Sequence, residues 1–193
     1  MDVFEAIHTT RAMRRLDPNR PVSDTDLHRI IEAATKAPSG GNSQPVRWIV
    51  VTDPDLKRQL GRVYARCAAQ LMADFDKNES ALLRSSWHLV EHLGEAPALV
   101  VACCEGPVRR PASVFPAVQN LLLAARALGL GTTLTTSHLE DEPAVRGILG
   151  IPDDVATYCI IPVGYPLGRW GEAVRKPVAA VAYRDRWGSP FQA

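Results

Sequence analysis

The sequence predicts a single domain of α+β or α/β class built on one sheet. Four short apolar runs rich in β-branched residues are scattered among longer stretches whose apolar residues recur at helical spacing. The chain has 193 residues, 46% hydrophobic and 22% charged, a composition typical of a globular domain with a sizeable core.

A short helix is predicted before RAMRR, and a longer one at about 24–36. Ser23 and Asp26 resemble a capping box with Asp in place of Glu, and apolar residues then follow at helical spacing. A polar, glycine-rich stretch, PSGGNSQP, ends this helix. The apolar run at 48–51 predicts a buried strand, after which Asp53 and Pro54 begin the next helix.

The rest of the chain continues the alternation of helices and strands. The stripe that begins at Val114 is apolar almost all round, which predicts a central helix ended by Gly129 and Gly131. In order, the elements predicted after Pro54 are a helix carrying Leu56 to Cys67, a helix at 81–93, a strand at 98–104, a helix at 114–128, a strand at 132–136, a helix at 141–149 and a strand at 158–163.

The C-terminal segment lacks a predicted helix but carries the apolar side chains Val178, Val181, Tyr183, Trp187 and Phe191. These groups need a surface to cover them. The segment is therefore expected either to fold back over its own domain or to cross to a second subunit.

Charge and cysteine usage exclude several classes of protein. The formal net charge of +1 argues against a general binder of nucleic acids or acidic membranes. The four cysteines, Cys67, Cys103, Cys104 and Cys159, form no ligand-like pair and are interpreted as reduced core thiols of a cytosolic protein, with Cys103 and Cys104 on opposite faces of a strand. The early charged residues and the lack of a long apolar run predict neither a signal peptide nor a membrane span.

Two basic groups and one polar loop are candidate binding elements. Arg11, Arg14 and Arg15 cluster in RAMRR, and Arg175-Lys176 lies in a late loop. Guanidinium groups suit phosphate because their planar forks make bidentate, charge-assisted hydrogen bonds. The alternative interpretation is a solvated basic face.

The loop PSGGNSQP leaves backbone N–H groups and the Asn42 and Gln44 amides free to contact a ligand, although a plain helix-to-strand connection has the same composition. Together, two basic groups and this loop match a phosphorylated heteroaromatic cofactor. The charges suit its phosphate, and the amides suit its ring edge.

Other motifs give weaker hypotheses. GLGTTL lacks the third glycine of a dinucleotide fingerprint and follows a helix, so a Rossmann site is rejected. HLVEH matches an inverzincin motif, with His88 and His92 as zinc ligands and Glu91 as general base, but its third ligand has no distinctive candidate. There is no G-x-S-x-G nucleophile elbow.

Five stretches of the chain resemble, in order and spacing, the nitroreductase family of FMN-dependent oxidoreductases. They are TTRAMRRLDPNRPV, APSGGNSQPVRWIVV, FPAVQNLLLAARALGLGTTLTT, IPVGYPLGR and RKPVAAVAYRDRWG. The resemblance spans essentially the whole chain. It implies an α+β fold of three α/β/α layers with a central, mainly antiparallel sheet. It also implies an FMN-binding domain at 1–177 and a C-terminal arm at 178–193 that crosses to the partner subunit.

The resemblance further implies a homodimer with two interfacial FMN sites built from both chains. Thr10, Ala12 and Val46 depart from the residues common in the family, so phosphate binding is expected to depend on Arg11, Arg14 and the late basic pair. The implied contacts are Arg11, Ala12 and Arg14 for phosphate and ribityl; Pro38, Ser39, Gly40, Asn42 and Gln44 for the flavin, in part from the partner; Leu134, Thr135 and Thr136 for the isoalloxazine edge; and Arg175 with Lys176 for the phosphate.

The implied activity is transfer of hydride from NAD(P)H through FMN to nitroaromatic or quinone-like acceptors, with ping-pong kinetics, in a cytoplasmic enzyme. The flavin carries the chemistry, no protein side chain is assigned as an obligatory acid or base, and no metal is expected. Alternatives on the same fold are dehalogenation, flavin fragmentation, heterocycle oxidation and FMN sequestration without turnover. A zinc hydrolase is a remote alternative.

Overall fold

The computed structural model describes residues 1–106 and 110–191, so the last two residues of the predicted arm lie outside it. The helices and strands are α1 (Val3–Thr9), α2 (Asp24–Thr35), β1 (Val46–Val51), α3 (Pro54–Leu71), α4 (Ala81–His92), β2 (Ala98–Glu105), α5 (Pro111–Ala127), β3 (Gly131–Thr132), α6 (Glu142–Leu149) and β4 (Val155–Gly164).

One sheet organises these elements. Its strand order is β1-β2-β4-β3, and every neighbouring pair is antiparallel. The α+β class and the antiparallel sheet are therefore confirmed. Strands β1 and β3 form the two edges of the sheet. The loop PSGGNSQP comes directly before β1, and the segment 134–136, also predicted to meet the flavin, comes directly after β3.

Side chains that alternate along β2 divide the core into two layers. Val100 and Ala102 pack against α2 and α5, whereas Leu99 and Val101 pack against α3, α4 and α6. Helices thus cover both faces of the sheet, which confirms the three-layer arrangement. Strand β2 is buried along almost its whole length because it lies between two strands and two helical layers.

The four cysteines are all free and buried. Cys104 packs on the α2 and α5 side of the sheet and Cys103 on the other side, as the sequence predicts for neighbours on a strand. Burial raises the pKa of Cys103 and of Cys159 to about 12. Both thiols therefore stay protonated at neutral pH, as core groups rather than nucleophiles.

The predicted helix starts have the expected caps. The Ser23 hydroxyl accepts the N–H of Asp26 at 3.1 Å, which is the capping interaction inferred from their spacing. The Asp53 carboxylate accepts the N–H groups of Asp55 and Leu56, both at 2.9 Å, with Pro54 in the first turn. These caps fix where α2 and α3 enter their layers.

The strand predicted at 132–136 is interrupted, and Pro162 supplies the reason. Strand β3 pairs Thr132 with Val163, and Thr135 pairs again with Ile160 in the same register. Thr133 would face Pro162, whose missing N–H leaves the ladder one donor short on the β3 side. The segment therefore touches β4 at two points with a gap between them.

The C-terminal arm forms a short hairpin of its own. Tyr183 bridges Pro190, and the Tyr183 and Trp187 rings lie 4.8 Å apart between centroids. Trp187 nevertheless remains 90% exposed, and Val178, Val181 and Phe191 are exposed as well. The arm therefore leaves its apolar groups uncovered by its own domain.

Among the helices that the structure describes, none combines the length and the apolar composition that a membrane span requires.

Helix α3 approaches the turn after α4 so closely that two glycines meet. A Cβ atom on Gly61 would lie 2.9 Å from the Cα and N atoms of Gly94. The Lys57 ammonium donates to the carbonyls of Ala96 and Pro97, at 2.8 and 3.0 Å, at the same contact. Backbone on both sides of this contact leaves a methyl group no room.

We expect Gly61→Ala to lower the free energy of unfolding by about 1–3 kcal/mol, because the methyl group forces the two backbones apart. Urea denaturation followed by circular dichroism measures this. The matched control is Gly147→Ala in α6, where nothing lies within 4 Å of the added Cβ. There the higher helix propensity of Ala should leave stability unchanged or slightly raised. Equal denaturation midpoints for wild type and Gly61→Ala would contradict the close approach.

Candidate functional site

The N-terminal basic motif, residues 11–15, lies against the segment 131–136. The Met13 N–H donates to the Thr132 carbonyl at 2.9 Å, and a Cβ on Gly131 would lie 2.8 Å from the Met13 Cβ. Glycine is therefore required for the two backbones to come this close. Arg11 and Ala12 are exposed beside this contact, and Leu134, two residues after Thr132, is exposed as well.

Residues 165–170 hold the other side of the basic motif. Asp17 donates its N–H to the Tyr165 carbonyl at 2.8 Å, and Leu167 donates to the Arg15 carbonyl at 3.0 Å. The Arg20 guanidinium stacks 3.3 Å from the centroid of Tyr165. The motif is thus fixed between β3 and the chain that follows β4.

A third segment brings Arg175 to the same region. Thr10 and Arg175 line one open depression of about 430 Å³ next to α1, and Glu172 is the carboxylate on its wall. The Arg126 guanidinium stacks 4.3 Å from the centroid of Trp170 and also donates to Thr9 at 3.0 Å. These contacts tie the late loop to the beginning of the chain.

The cations predicted to hold phosphate have no acidic partner. Within residues 1–106 and 110–191, Arg11, Arg14, Arg175 and Lys176 form no ion pair, and Arg175 donates only to the carbonyl of Val174. Lys176 is exposed beside Arg175. Unneutralised cations from two separate segments suit an anionic ligand.

Arg14 lies deeper than Arg11 and near a residue that sequence reasoning missed. Arg14 is half-buried; burial lowers its pKa, and the nearby Tyr64 hydroxyl partly offsets this effect. Burial raises the pKa of Tyr64, and Ser137 and Arg14 partly offset that rise. Tyr64 of α3 therefore lies close to both the basic motif and the residue that follows segment 131–136. Its position in a helical stripe gives the same sequence signal as that of any core residue.

A buried polar group lies behind the same segment. His138 is fully buried, and its Nε2 lies 3.1 Å from the Thr157 hydroxyl. Glu142 accepts the N–H of Thr157 at 2.6 Å and its hydroxyl at 3.0 Å. The Thr135 hydroxyl donates to the Ile160 carbonyl at 2.8 Å. These bonds attach the segment to β4 from inside the core.

The loop PSGGNSQP has an unusual backbone. Gly41, Asn42 and Gln44 have φ values of +59°, +52° and +46°, so two residues other than glycine occupy the left-handed region. The Ser39 hydroxyl accepts the Gln44 N–H at 2.9 Å, and the Gln44 amide donates to the Asn42 amide oxygen at 3.3 Å. Internal hydrogen bonds therefore maintain the strained loop.

The start of α5 supports this loop. Gly40 donates its N–H to the buried Ser113 hydroxyl at 3.2 Å, and Arg110 donates to Ser43 at 2.9 Å. A cleft of about 170 Å³ between α2 and α5 is lined in part by Pro38, Ser39 and Gln44. The predicted loop residues thus lie at the mouth of this cleft and against the start of α5.

The two groups of predicted site residues lie at opposite edges of the sheet. The loop precedes β1, whereas 131–136 and the basic motif lie at β3. Three interstrand spacings of about 4.8 Å separate those edges by roughly 14 Å. No hydrogen bond, ion pair or ring contact connects the two groups within the described residues. One chain therefore does not bring them together.

The zinc hypothesis finds no third ligand. The rings of His88 and His92 lie 4.4 Å apart between centroids, and His92 Nδ1 lies 3.0 Å from Glu95. The described parts of the chain contain no group of three His, Cys, Asp or Glu side chains that could hold a metal ion. HLVEH is therefore described as a short part of α4 whose two histidines lie one helical turn apart.

Comparison with known proteins gives a consistent result. A sequence model of the nitroreductase family matches residues 7–165. An iodotyrosine deiodinase of Thermotoga neapolitana is 32% identical over 169 residues, 85% of this chain and 88% of that protein. A protein of Archaeoglobus fulgidus, provisionally named NADH dehydrogenase/NAD(P)H nitroreductase, is 28% identical over 173 residues, 86% of each chain.

A solved structure is similar over nearly its full length. Oxidized iodotyrosine deiodinase bound to FMN and 3-iodo-L-tyrosine superposes with a TM-score of 0.80 at 28% identity, covering 96% of this chain and 99% of that one. The similarity thus includes the sheet, both helical layers and the segments that form the candidate site.

Proposed function

The chain belongs to the nitroreductase family, and on this basis we propose that it is an FMN-dependent oxidoreductase that passes hydride from NAD(P)H to electron-poor acceptors. The acceptors we propose are nitroaromatic or quinone-like compounds. The observation that carries the proposal is that the basic motif lies against segment 131–136 through the Met13 to Thr132 hydrogen bond, while Arg175 lines a depression beside Thr10 at the start of that motif.

The residues present fit FMN. Phosphate needs cations that are not already paired with carboxylates, and within the described residues Arg11, Arg14, Arg175 and Lys176 form no ion pair, although Glu172 lines the same depression as Arg175. Leu134 lies two residues after Thr132, whose carbonyl accepts the Met13 N–H, so strand alternation would direct the Leu134 N–H and carbonyl toward the basic motif as well. These backbone groups are the ones we propose for the ring edge of a flavin whose phosphate the basic motif holds.

The chemistry that FMN supplies when bound is acceptance of a hydride from nicotinamide and its delivery to a second molecule, in ping-pong order. The protein side chains orient the cofactor and place positive charge near it, which favours the added negative charge. Segment 131–136, anchored through Thr135 and backed by His138, supplies a rigid wall. The acceptor's proton then comes from solvent, without an obligatory protein acid.

A homodimer completes this site. The loop residues Pro38, Ser39, Gly40, Asn42 and Gln44 are predicted to contact flavin, yet they lie at the opposite sheet edge from the basic motif. A second copy can bring its loop to the first copy's basic motif. The exposed apolar residues of α1 and of the C-terminal arm, Val3, Phe4, Ile7, Val178, Val181 and Trp187, supply surface for that contact.

Reductive dehalogenation is the second candidate, and the relatives favour it. A relative at 32% identity and a structural neighbour with a TM-score of 0.80 are both named iodotyrosine deiodinases. Assays with 3-iodo-L-tyrosine and with a nitroaromatic compound, using the same reduced protein, distinguish the two reactions. Faster turnover of the halogenated compound would place the chain with the deiodinases.

We expect the purified protein to show visible flavin absorbance that NADPH or NADH removes under anaerobic conditions. The spectrum before and after each donor is the measurement, and the faster donor is the preferred one. Flavin that neither donor bleaches would indicate sequestration or another electron donor. A colourless protein that added FMN cannot reconstitute would refute the proposal.

Replacing Arg11 and Arg14 together by Ala should weaken FMN binding at least about 100-fold, because two charge-assisted hydrogen bonds to phosphate are lost. Quenching of flavin fluorescence during titration of the apoprotein measures this. A control with Arg29→Ala and Arg62→Ala removes two exposed arginines from the outer faces of α2 and α3. An unchanged FMN affinity in the first variant would rule out the phosphate role.

Sedimentation velocity should find the wild-type chain as a dimer. Changing Trp187 and Phe191 to Ser should shift it toward monomer and lower FMN affinity in parallel, because the loop and the basic motif then come apart. A wild-type chain that sediments as a monomer with FMN bound would contradict a shared site.

A further inference from the structure

A second group of unpaired cations surrounds a cleft beside the basic motif. Arg15, Lys77 and Arg84 line an open cleft of about 210 Å³, with Trp87 and His88 of α4 in its wall. Glu91 is the carboxylate among its lining residues. Arg15 directly follows the arginine assigned to FMN, but the family resemblance gives it no role.

The three cations have no acidic partner within residues 1–106 and 110–191. Arg84 donates to the carbonyl of Asn78 at 3.1 Å, which fixes its guanidinium at the rim of the cleft. By contrast, Arg58, Arg66 and Arg146 each contact an aspartate, Asp55, Asp141 and Asp153 respectively. Like charges gathered in a concave surface repel one another unless an anion neutralises them.

Trp87 gives the cleft an aromatic wall next to these cations. Its indole Nε1 is inaccessible to solvent, so the polar atom faces the protein and not the cleft. Three cations beside an aromatic side chain suit a molecule that carries an anionic group on an aromatic ring.

His88 connects this cleft with the flavin side. It also lines the adjoining cleft of about 150 Å³, whose wall includes Arg14 and His92. Burial lowers the pKa of His88, and His92 and Arg15 lower it further, so this ring adds no charge at neutral pH. The two clefts therefore run side by side from Arg84 to Arg14.

We propose that Arg15, Lys77 and Arg84, with Trp87, bind the carboxylate or phosphate of the molecule that reacts at the flavin. This inference rests on the proposed function and deepens it by naming an anionic substrate class. Two sources carry that chemistry. One is an acceptor that bears a carboxylate, and the other is NADPH, whose additional phosphate NADH lacks.

The test compares Lys77→Gln/Arg84→Gln with the matched control Lys36→Gln/Arg62→Gln. The control removes the same two charge types from exposed side chains that make no hydrogen bond or ion pair with described residues. Calorimetric titration uses four probes under conditions in which none of them reacts: 4-nitrobenzoate and nitrobenzene with the oxidized holoprotein, and NADPH and NADH with the holoprotein reduced beforehand without oxygen. FMN titration checks first that the flavin site is intact.

Loss of the Lys77 and Arg84 charges should weaken binding of 4-nitrobenzoate or of NADPH roughly 10-fold or more. Binding of the matching probe that lacks the extra negative charge, nitrobenzene or NADH, should be unaffected. Weaker 4-nitrobenzoate binding identifies an acidic acceptor, and weaker NADPH binding identifies the donor. Added salt should weaken the wild-type interaction in the same way. Equal binding of all four probes by wild type and variant overturns the inference.

These outcomes separate the inference from the proposed function. If NAD(P)H bleaches the bound FMN but the variant binds all probes as wild type does, the anion-binding role of the cleft is rejected and the proposed oxidoreductase function stands. If probe binding depends on the Lys77 and Arg84 charges but neither donor bleaches the flavin, the cleft is supported and NAD(P)H is rejected as the electron donor. Turnover by the variant with raised KM for the anionic probe and unchanged kcat is the kinetic form of the supporting result.

Discussion

The register between β4 and residues 131–135 is the constraint on which the rest of the candidate site depends. One side of this segment pairs with β4 at Thr132 and Thr135, and the other side accepts the N–H of Met13. A shift of one residue would turn Thr135 away from Ile160 and would put a residue with a Cβ where Gly131 now meets Met13. Arg11 and Arg14 are placed by backbone pairing rather than by contacts of their own side chains.

Sheet topology determines why the site is divided. The order β1-β2-β4-β3 puts the loop before β1 and the segment after α5 at opposite edges. The buried strands between them keep the two edges apart within one chain. The C-terminal arm and α1 both carry exposed apolar side chains. The proposed dimer would use this apolar surface and would bring the loop of one copy to the basic motif of the other.

Charge pairing distinguishes structural arginines from candidate binding arginines. Arg47, Arg66 and Arg146 pair with carboxylates, and Arg20 and Arg126 stack on aromatic rings. Four arginines that form no ion pair within the described residues, Arg14, Arg15, Arg84 and Arg175, line clefts at or beside the basic motif, which also contains Arg11. Solvent-exposed ion pairs contribute little to stability, so this contrast matters for ligand binding rather than for the fold.

The sequence by itself determined the elements and most of their ends, because caps such as Ser23 and Asp53 and the apolar spacing of α2 and β2 act within a few residues. Its motifs also identified the basic cluster and the polar loop. The gap opposite Pro162, the position of Tyr64 near Arg14 and Ser137, and the buried His138 could not be predicted, since each depends on residues far apart in the chain. Only the tertiary structure decided which motifs meet, because pairing across the sheet, and not local propensity, fixes those distances.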